Sequence, residues 1–230
     1  RKKLPISVDD MAHAYTDHTQ IIWNGILGKI AIQAYDAVRL KSVYASPKLA
    51  KKEINLQINL RNKLAKGIVG KLKIAVKDNR GSLPPVEKTI QLSPGDSTIN
   101  LSYLLGDRLK LWSEFSPHLY DIGLELEAAD AVSTLCTSIG MRELSTDGTI
   151  LKVNGEPLFL RGTLECSIFP LTGHPPMDKA GWRKVFLTAR EWGLNHLRFH
   201  SWCPPEAAFA VADELGFYLQ IELPIWENNI

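Results

Sequence analysis

The spacing of apolar side chains changes once along this chain of 230 residues, near Glu143. Before Glu143, apolar residues alternate with polar ones in short runs such as 54–60, and this period of two is typical of strands with one buried face. After Glu143, two stretches repeat apolar residues every three or four positions, as amphipathic helices do. The chain is therefore predicted to be a multidomain protein in which an all-β part precedes an α/β part.

Seven strands are predicted before Glu143, and turn sequences such as Ser93-Pro94-Gly95-Asp96 separate them. Seven short strands over about 100 residues are typical of an immunoglobulin-like β-sandwich, although the antibody-type Cys…Trp…Cys core is absent. We assign this domain to residues 35–143. Its predicted strands are 38–44, 54–60, 68–76, 86–92, 99–104, 119–126 and 132–139.

The α/β part, residues 144–230, reads as strand, helix, strand, helix, strand. Asn154 and Gly155 predict a hairpin turn because both residue types tolerate positive φ. The predicted parallel strands lie near 158–163, at 195–200 and at 217–223. Such a βαβαβ unit belongs either to an open doubly wound sheet or to a barrel. The edge of the last strand is unpaired, which predicts a possible homo-oligomer through that edge.

Two helices connect these strands. The first is predicted to begin after Asp178 as N-cap and to stop at Gly193. Its apolar stripe comprises Trp182, Val185, Phe186, Ala189 and Trp192. Both tryptophans of the stripe are accordingly assigned to packing. The second helix opens at Pro204-Pro205-Glu206 and ends at Gly216.

Polar residues alternate with apolar ones at the ends of these strands. If the apolar residues face the helices, the polar ones converge on the other side, where barrels carry their active sites. The residues expected to converge are Arg161, Thr163, Arg198, His200, Gln220 and Glu222. Because a buried charge must be paired, the cluster is either an internal ion network or a ligand site. His200 alone would more often be a hydrogen-bonded structural histidine than a functional one.

Aromatic residues offer a second signal. Trp202, Trp226 and Trp23 are candidates for stacking on a sugar ring, with core packing as the alternative. The three cysteines, Cys136, Cys166 and Cys203, are expected to be small, semi-buried core residues. Their spacing predicts neither a disulfide scaffold nor a metal site, and no phosphate-binding loop or GxSxG motif is present, so no cofactor is predicted.

Charge and hydropathy exclude two kinds of partner. The net charge of +2 is too small to hold a nucleic acid along one face. No window approaches the roughly 18 consecutive apolar residues of a membrane span.

Short motifs in each part resemble glycoside hydrolase family 2, the group of β-galactosidases, β-glucuronidases and β-mannosidases. The motifs are Tyr15-Thr16-Asp17-His18-Thr19-Gln20, Trp23-Asn24-Gly25-Ile26-Leu27-Gly28, Ile139-Gly140-Met141-Arg142, Val153-Asn154-Gly155-Glu156-Pro157, Leu158-Phe159-Leu160-Arg161-Gly162, Asn195-His196-Leu197-Arg198 and Asp213-Glu214-Leu215-Gly216. The chain resembles an internal fragment of such a protein. The resemblance implies that residues 1–34 end a jelly-roll sugar-binding domain, with a predicted strand at 28–32, and that 144–230 supply strands 1–3 of a (β/α)₈ TIM barrel.

The resemblance also implies a function. Family members are retaining exo-glycosidases for terminal β-linked sugars, in which two carboxylates stand about 5 Å apart. The resemblance places both carboxylates beyond Ile230, so the chain has no catalytic residue of its own and is expected to be inactive. The residues implied to bind the carbohydrate substrate are Arg161, Arg198, His200, Trp202 and Glu222. A periplasmic or secreted location is implied by the resemblance alone.

Two stretches depart from the family pattern. The usual Arg-Gly-Val-Asn-Arg-His reads Arg161-Gly162-Thr163-Leu164-Glu165-Cys166, and the usual Arg-x-Ser-His-Tyr-Pro reads Arg198-Phe199-His200-Ser201-Trp202-Cys203-Pro204. These departures leave an alternative open, namely a non-catalytic carbohydrate-binding or scaffolding protein with the same architecture.

Overall fold

The computed structural model describes residues 26–223, which form two compact units. The sandwich unit is Ile32–Leu158, and the parallel unit comprises the described residues on either side of it, 26–31 and 159–223. The predicted strand at 28–32 is wrong, because residues 26–36 form neither helix nor strand and pair with no neighbouring strand in the described chain. The motif residues before Ile26 lie outside the described residues.

The sandwich unit contains all seven strands that the period of two predicted, each within a few residues of its expected bounds. In chain order its strands are β1 (Val38–Lys48), β2 (Glu53–Asn62), β3 (Ile68–Asp78), β4 (Gly81–Ser82), β5 (Val86–Leu92), β6 (Gly95–Leu104), β7 (Leu119–Ala128), β8 (Ala131–Gly140), β9 (Leu144–Asp147), β10 (Ile150–Val153) and β11 (Glu156–Pro157). Two short 3₁₀ turns, Leu49–Lys51 and Gly106–Arg108, complete the unit.

Two antiparallel sheets enclose the core of the sandwich unit. One has the order β1-β2-β6, and the other places β3 between β7 and the pair β4 and β5, with β8 beyond β7. Alternate residues of each strand point inward, so Ile54, Leu56, Ile58 and Leu60 of β2 are all completely buried. The strands β9, β10 and β11 form a separate small sheet.

A tyrosine fixes the connection between β6 and β7. The Tyr120 hydroxyl donates to the Arg108 carbonyl and accepts from the Lys110 amide, both at 2.7 Å. This tyrosine corner is a recurrent feature of Greek-key sandwiches. Nearby, the Trp112 ring lies so close to Gly140 that a Cβ there would stand 2.7 Å from the ring, so the Ile139-Gly140-Met141-Arg142 motif needs glycine at its second position.

The turn of the β10–β11 hairpin confirms the prediction from Asn154 and Gly155. Both residues have positive φ, 54° and 86°, as a two-residue hairpin turn requires. The Asn154 side chain accepts from the Glu143 amide at 3.0 Å and donates to the Trp112 carbonyl at 2.9 Å. The small sheet is thereby tied to the rest of the sandwich unit.

The parallel unit has the predicted βαβαβ order. Its elements are β12 (Gly162–Glu165), α1 (Lys179–Glu191), β13 (His196–Phe199), α2 (Glu206–Leu215) and β14 (Tyr218–Ile221). The three strands are parallel in the order β12-β13-β14. The predicted helix ends are confirmed, since the Asp178 side chain accepts from the Gly181 amide at 2.8 Å and Gly216 caps α2 with a φ of 75°.

Aromatic residues fill the core between the sheet and the two helices. Trp182, Phe186 and Phe199 are completely buried there. The predicted packing of Trp192 is wrong, because its side chain is 81% exposed. Trp192 stands at the C-cap, after the last helical residue and at the edge of the stripe, where its side chain no longer faces the sheet. No helix between residues 26 and 223 is long and apolar enough to cross a membrane.

Candidate functional site

A cluster of polar side chains lies at the carboxyl ends of β13 and β14. The Arg198 Nε donates to Glu222 Oε1, and the Ser201 hydroxyl donates to Glu222 Oε2 at 2.8 Å. Neighbouring parallel strands place these groups together, since Arg198 pairs with Gln220 and Glu222 follows two residues later on the same face. We call Arg198, His200, Ser201 and Glu222 the strand-end cluster.

The electrostatics of the strand-end cluster favour an ionised carboxylate. Burial acts to raise the pKa of Glu222, but the hydrogen bonds from Ser201 and Arg198 and the nearby charges of Arg198 and His200 outweigh it, so the pKa is lowered. The side chains of Arg198 and Glu222 remain 41% and 19% exposed. The cluster thus presents a fixed acceptor and a guanidinium that a ligand can still reach.

Two of the residues expected to converge with Arg198, namely Arg161 and Thr163, do not do so, because of the strand register. Thr163 pairs with Leu197, whose side chain is buried against the helices, so Thr163 and Arg161 lie on the opposite face from Arg198. Strand β12 begins at Gly162, and a shift of one residue reverses every side chain of a strand. The Arg161 Nε donates instead to the Gly193 carbonyl at 2.8 Å. The structure therefore brings together Arg198, His200 and Glu222, with Gln220 on their face, and separates Arg161 from them.

Trp202 belongs to the aromatic core of the parallel unit. Its ring centroid lies 5.4 Å from that of Phe199 and 6.2 Å from that of Trp182, and its Nε1 donates to the Glu165 carbonyl at 3.3 Å. The half-buried ring is thus held by packing beside the strand-end cluster. The other two tryptophans considered for sugar stacking, Trp23 and Trp226, lie outside the described residues.

Glu165, at the end of β12, is a candidate that reasoning from the sequence missed. Its Oε1 accepts from the Ser167 amide at 3.0 Å, while Oε2 is buried with no partner in residues 26–223. Burial raises the pKa of Glu165 to about 7, so a large fraction of this carboxyl is protonated at neutral pH. The sequence did contain one indication of this residue. In the stretch Arg161–Cys166, a carboxylate stands at position 165, where the family pattern has an arginine.

The prediction that the three cysteines are semi-buried core residues is wrong. Cys136, Cys166 and Cys203 are free, and all three are exposed rather than semi-buried. Cys136 lies on the outward side of β8, and the other two follow the ends of β12 and β13. Among residues 26–223, no group of three His, Cys, Asp or Glu side chains is placed to hold a metal ion.

Residues 38–142 match the family described as "Glycosyl hydrolases family 2". The chain is 29% identical over 120 residues to a β-galactosidase of Thermoanaerobacter pseudethanolicus, a match that covers 51% of this chain and 16% of the relative. It is 28% identical over 111 residues to a β-galactosidase of Vibrio cholerae, covering 47% of this chain and 11% of the relative. The chain thus spans less than a fifth of the length of these relatives.

Solved structures share the fold over more of the chain. A glycosyl hydrolase family 2 member from Bacteroides cellulosilyticus covers 82% of this chain, with a TM-score of 0.72 and 20% identity, and 25% of that protein is matched. A β-glucuronidase from Bacteroides uniformis covers 84% of this chain, with a TM-score of 0.69 and 21% identity, and again 25% of that protein is matched. The match of residues 38–142 to glycosyl hydrolases family 2 confirms the resemblance found in the sequence motifs.

Proposed function

We propose that the chain is part of a retaining exo-glycosidase that hydrolyses terminal β-linked sugars, and that the strand-end cluster helps to bind the sugar. The observation that carries this proposal is the contact of Arg198 and Ser201 with Glu222 at the carboxyl ends of adjacent parallel strands. Ligands bind at that end in parallel α/β folds. The relationship to glycoside hydrolases supports a carbohydrate as that ligand.

The proposal includes a domain arrangement. Residues 1–34 would end a jelly-roll sugar-binding domain, 35–143 would be an immunoglobulin-like domain, and 144–230 would begin a (β/α)₈ barrel. The tyrosine corner at Tyr120 and the β1-β2-β6 order support the immunoglobulin-like assignment. The alternation of parallel strands and helices in the parallel unit supports the barrel.

Each member of the strand-end cluster has a proposed role. An ionised Glu222 accepts a hydrogen bond from a sugar hydroxyl, and Arg198 donates to a ring or hydroxyl oxygen while holding the carboxylate in place. His200 adds a further donor or acceptor beside them. Arg161 and Trp202, also proposed as binding residues from the sequence, contribute by positioning the strands and the loop around the cluster, since their contacts lie within the fold.

The same geometry supports the proposal that the 230-residue chain is itself inactive. A retaining mechanism needs two carboxylates about 5 Å apart, one as acid and one as nucleophile. Glu165 and Glu222 end neighbouring parts of the same sheet but lie on opposite faces, because Glu165 pairs with Phe199 and Glu222 follows the face of Arg198. Glu222 is also occupied by two donors. The catalytic pair is therefore proposed to lie outside these residues.

Two measurements test the proposal. The purified chain, incubated with aryl β-galactosides, β-glucuronides and β-mannosides, is expected to release no phenol, and turnover of any of them would contradict the assigned inactivity. Sequencing the coding DNA after codon 230 is expected to reveal an Asn-Glu pair after a fourth strand and a later strand-end Glu. A frame without both carboxylates would instead establish the non-catalytic binding protein.

The role of the strand-end cluster is tested in the protein encoded by that longer frame. Glu222→Gln is expected to lower kcat/KM by at least about tenfold, because the acceptor for the sugar hydroxyl loses its charge. The matched control is Glu87→Gln, which breaks an exposed ion pair with Lys71 in the sandwich unit and is expected to leave kcat/KM unchanged. Equal effects of the two substitutions would contradict the assigned role.

A further inference from the structure

The outer face of the β1-β2-β6 sheet carries three cross-strand rows without a charged side chain. Antiparallel partners share a face, so the register places three residues in each row. The nine residues, which we call the amide face, are Ser42, Asn59 and Thr98, then Tyr44, Gln57 and Asn100, then Ser46, Asn55 and Ser102.

The middle row of the amide face offers open binding groups. Tyr44 is 65% exposed, so its ring is open to solvent above the sheet. Gln57 and Asn100 continue the row on the next two strands, and both are exposed. None of the three side chains has a hydrogen-bond partner in the described chain. The row therefore combines a ring face with two amides that are free to donate and accept.

The two flanking rows are fixed by hydrogen bonds of their own. The Asn59 amide donates to the Ser42 hydroxyl at 2.9 Å and accepts from the Thr98 hydroxyl at 2.7 Å. On the other side, the Asn55 amide donates to Ser46 at 3.5 Å. Side chains held in this way lose little conformational freedom when a ligand binds over them.

The charge distribution restricts the ligand. Charged side chains begin only in the rows beyond the amide face, where Lys41 and Arg61 both contact Asp96 and Arg39 stands opposite Arg61. A nucleic acid would require cations within the rows that it covers, and a charged peptide would require a complementary charge there. A neutral saccharide needs neither. Its hydroxyls match amides that both donate and accept, and the apolar C–H face of a pyranose matches an exposed aromatic ring.

We propose that the amide face is a binding site for a neutral saccharide chain, with Tyr44 as the stacking platform and Gln57 and Asn100 as hydrogen-bonding groups. The site lies in the sandwich unit and shares no residue with the strand-end cluster. It would retain the protein on polymeric carbohydrate independently of hydrolysis.

Affinity electrophoresis of the 230-residue chain tests this site. Native gels containing galactomannan, xyloglucan, xylan or β-glucan are expected to slow the chain in at least one case. Tyr44→Ala is expected to weaken that interaction about tenfold, and Gln57→Ala and Asn100→Ala by smaller factors, whereas Tyr44→Phe keeps the ring and most of the affinity. Because Tyr44 is largely exposed, its replacement leaves the core intact, which circular dichroism verifies.

Two control variants distinguish the amide face from a general effect of exposed aromatic rings and from sugar binding at the strand-end cluster. Phe115→Ala removes an aromatic ring that is 88% exposed in the same unit but outside the amide face, and it is expected to change nothing. Arg198→Ala alters the strand-end cluster and reports whether sugar binding there contributes to the retardation. Absence of retardation in all four gels, or retardation that Arg198→Ala abolishes and Tyr44→Ala does not, overturns the proposal for the amide face.

Discussion

The two units each hold a carboxylate among cationic side chains, but solvent reaches the two carboxylates to different degrees. In the sandwich unit the Asp78 side chain is completely buried, and it accepts from Arg80 at 2.5 Å and from Arg108 at 3.2 Å. His118 Nε2 lies 3.3 Å from the same carboxylate. In the parallel unit Glu222 is 19% exposed and its partner Arg198 is 41% exposed.

This difference separates a structural ion cluster from one that is available to a ligand. Burial would raise the pKa of Asp78, but hydrogen bonds from Arg80 and the charges of Arg80 and Arg108 hold it at about 2. The Asp78 carboxylate is closed to solvent, although Arg80 and Arg108 remain 32% and 41% exposed, and these partners come from the turn after β3 and from the β6–β7 connection. The strand-end cluster has equally good hydrogen bonds but keeps an open side. The accessibility of the carboxylate to solvent, rather than ion pairing itself, therefore distinguishes the Asp78 cluster from the strand-end cluster.

The largest predicted effect is the loss of stability when the ion cluster around Asp78 is disrupted. Asp78→Asn is expected to lower the free energy of unfolding by about 2 to 3 kcal/mol, because the buried group loses the charge that strengthens its hydrogen bonds from Arg80 and Arg108. The control is Asp96→Asn, whose carboxylate also binds two cations but is 47% exposed, and the loss of stability is expected to be much smaller. Urea denaturation followed by circular dichroism measures both, and equal losses would contradict the distinction by accessibility.

A change of pH is expected to have a smaller effect on stability. Rising pH removes the contribution of Glu165 in the parallel unit, whereas falling pH removes that of Asp78 in the sandwich unit. The raised pKa of Glu165 means that its stabilising contribution is complete below pH 4.5 and is lost as pH rises to about 7. The lowered pKa of Asp78 means that its contribution is constant over that range and is lost only as pH falls from 3.8 to about 2. Glu165 is therefore expected to lower the stability of the parallel unit by on the order of 2 kcal/mol between pH 5 and pH 8, and His196, whose pKa burial lowers, acts in the opposite direction in the same unit.

Hydrogen exchange read by mass spectrometry resolves the two units in this experiment. Peptides from 159–223 are expected to exchange faster at pH 8 than at pH 5 after correction for intrinsic rates, and Glu165→Gln is expected to remove most of that difference. Glu127→Gln, an exposed carboxylate of β7, is the control and should leave it in place. A pH dependence that persists in Glu165→Gln would assign it to another group.

A third effect is smaller still. Arg198→Ala is expected to change the free energy of unfolding by no more than about 1 kcal/mol, because both partners of the pair remain in contact with water. Thermal unfolding of the 230-residue chain measures this change. A loss as large as that of Asp78→Asn would make the strand-end cluster a structural ion network and would remove its proposed binding role.

Weak self-association is the smallest expected effect. Within the described residues, β12 and β14 each pair on one side only, and an unpaired strand edge can bind a second copy of the chain. Light scattering is expected to show a rising mean mass over a tenfold range of concentration. Ile221→Lys places a charge on β14 and should reduce that rise. A monodisperse monomer across the range would contradict association through this edge.

The sequence predicted the elements of both units because each rests on local information. Period-two alternation identified the seven strands of the sandwich, and the residues Asp178 and Gly216 identified helix ends through their capping chemistry. The face on which Arg198 and Glu222 lie also followed from alternation within β13 and β14.

Properties that depend on register or on distant neighbours were not available from the sequence. The side of β12 on which Arg161 lies depends on where the strand begins, which a run of mixed residues does not define. The burial of Glu165 and of Asp78 depends on loops and turns that pack over them, and the exposure of Trp192 depends on the residue at which α1 ends. Each of these is a tertiary property rather than a local one.

The Asn154 side chain also determines where this chain can be shortened. A sandwich that ends at residue 143 would lose the acceptor for the Glu143 amide and the donor for the Trp112 carbonyl. The indole of Trp112 is the ring that packs on Gly140, so that loss would reach the closing strand of the sandwich. Ending the chain at residue 158 keeps the hairpin and both hydrogen bonds, which makes 32–158 the segment to express when the sandwich is studied alone.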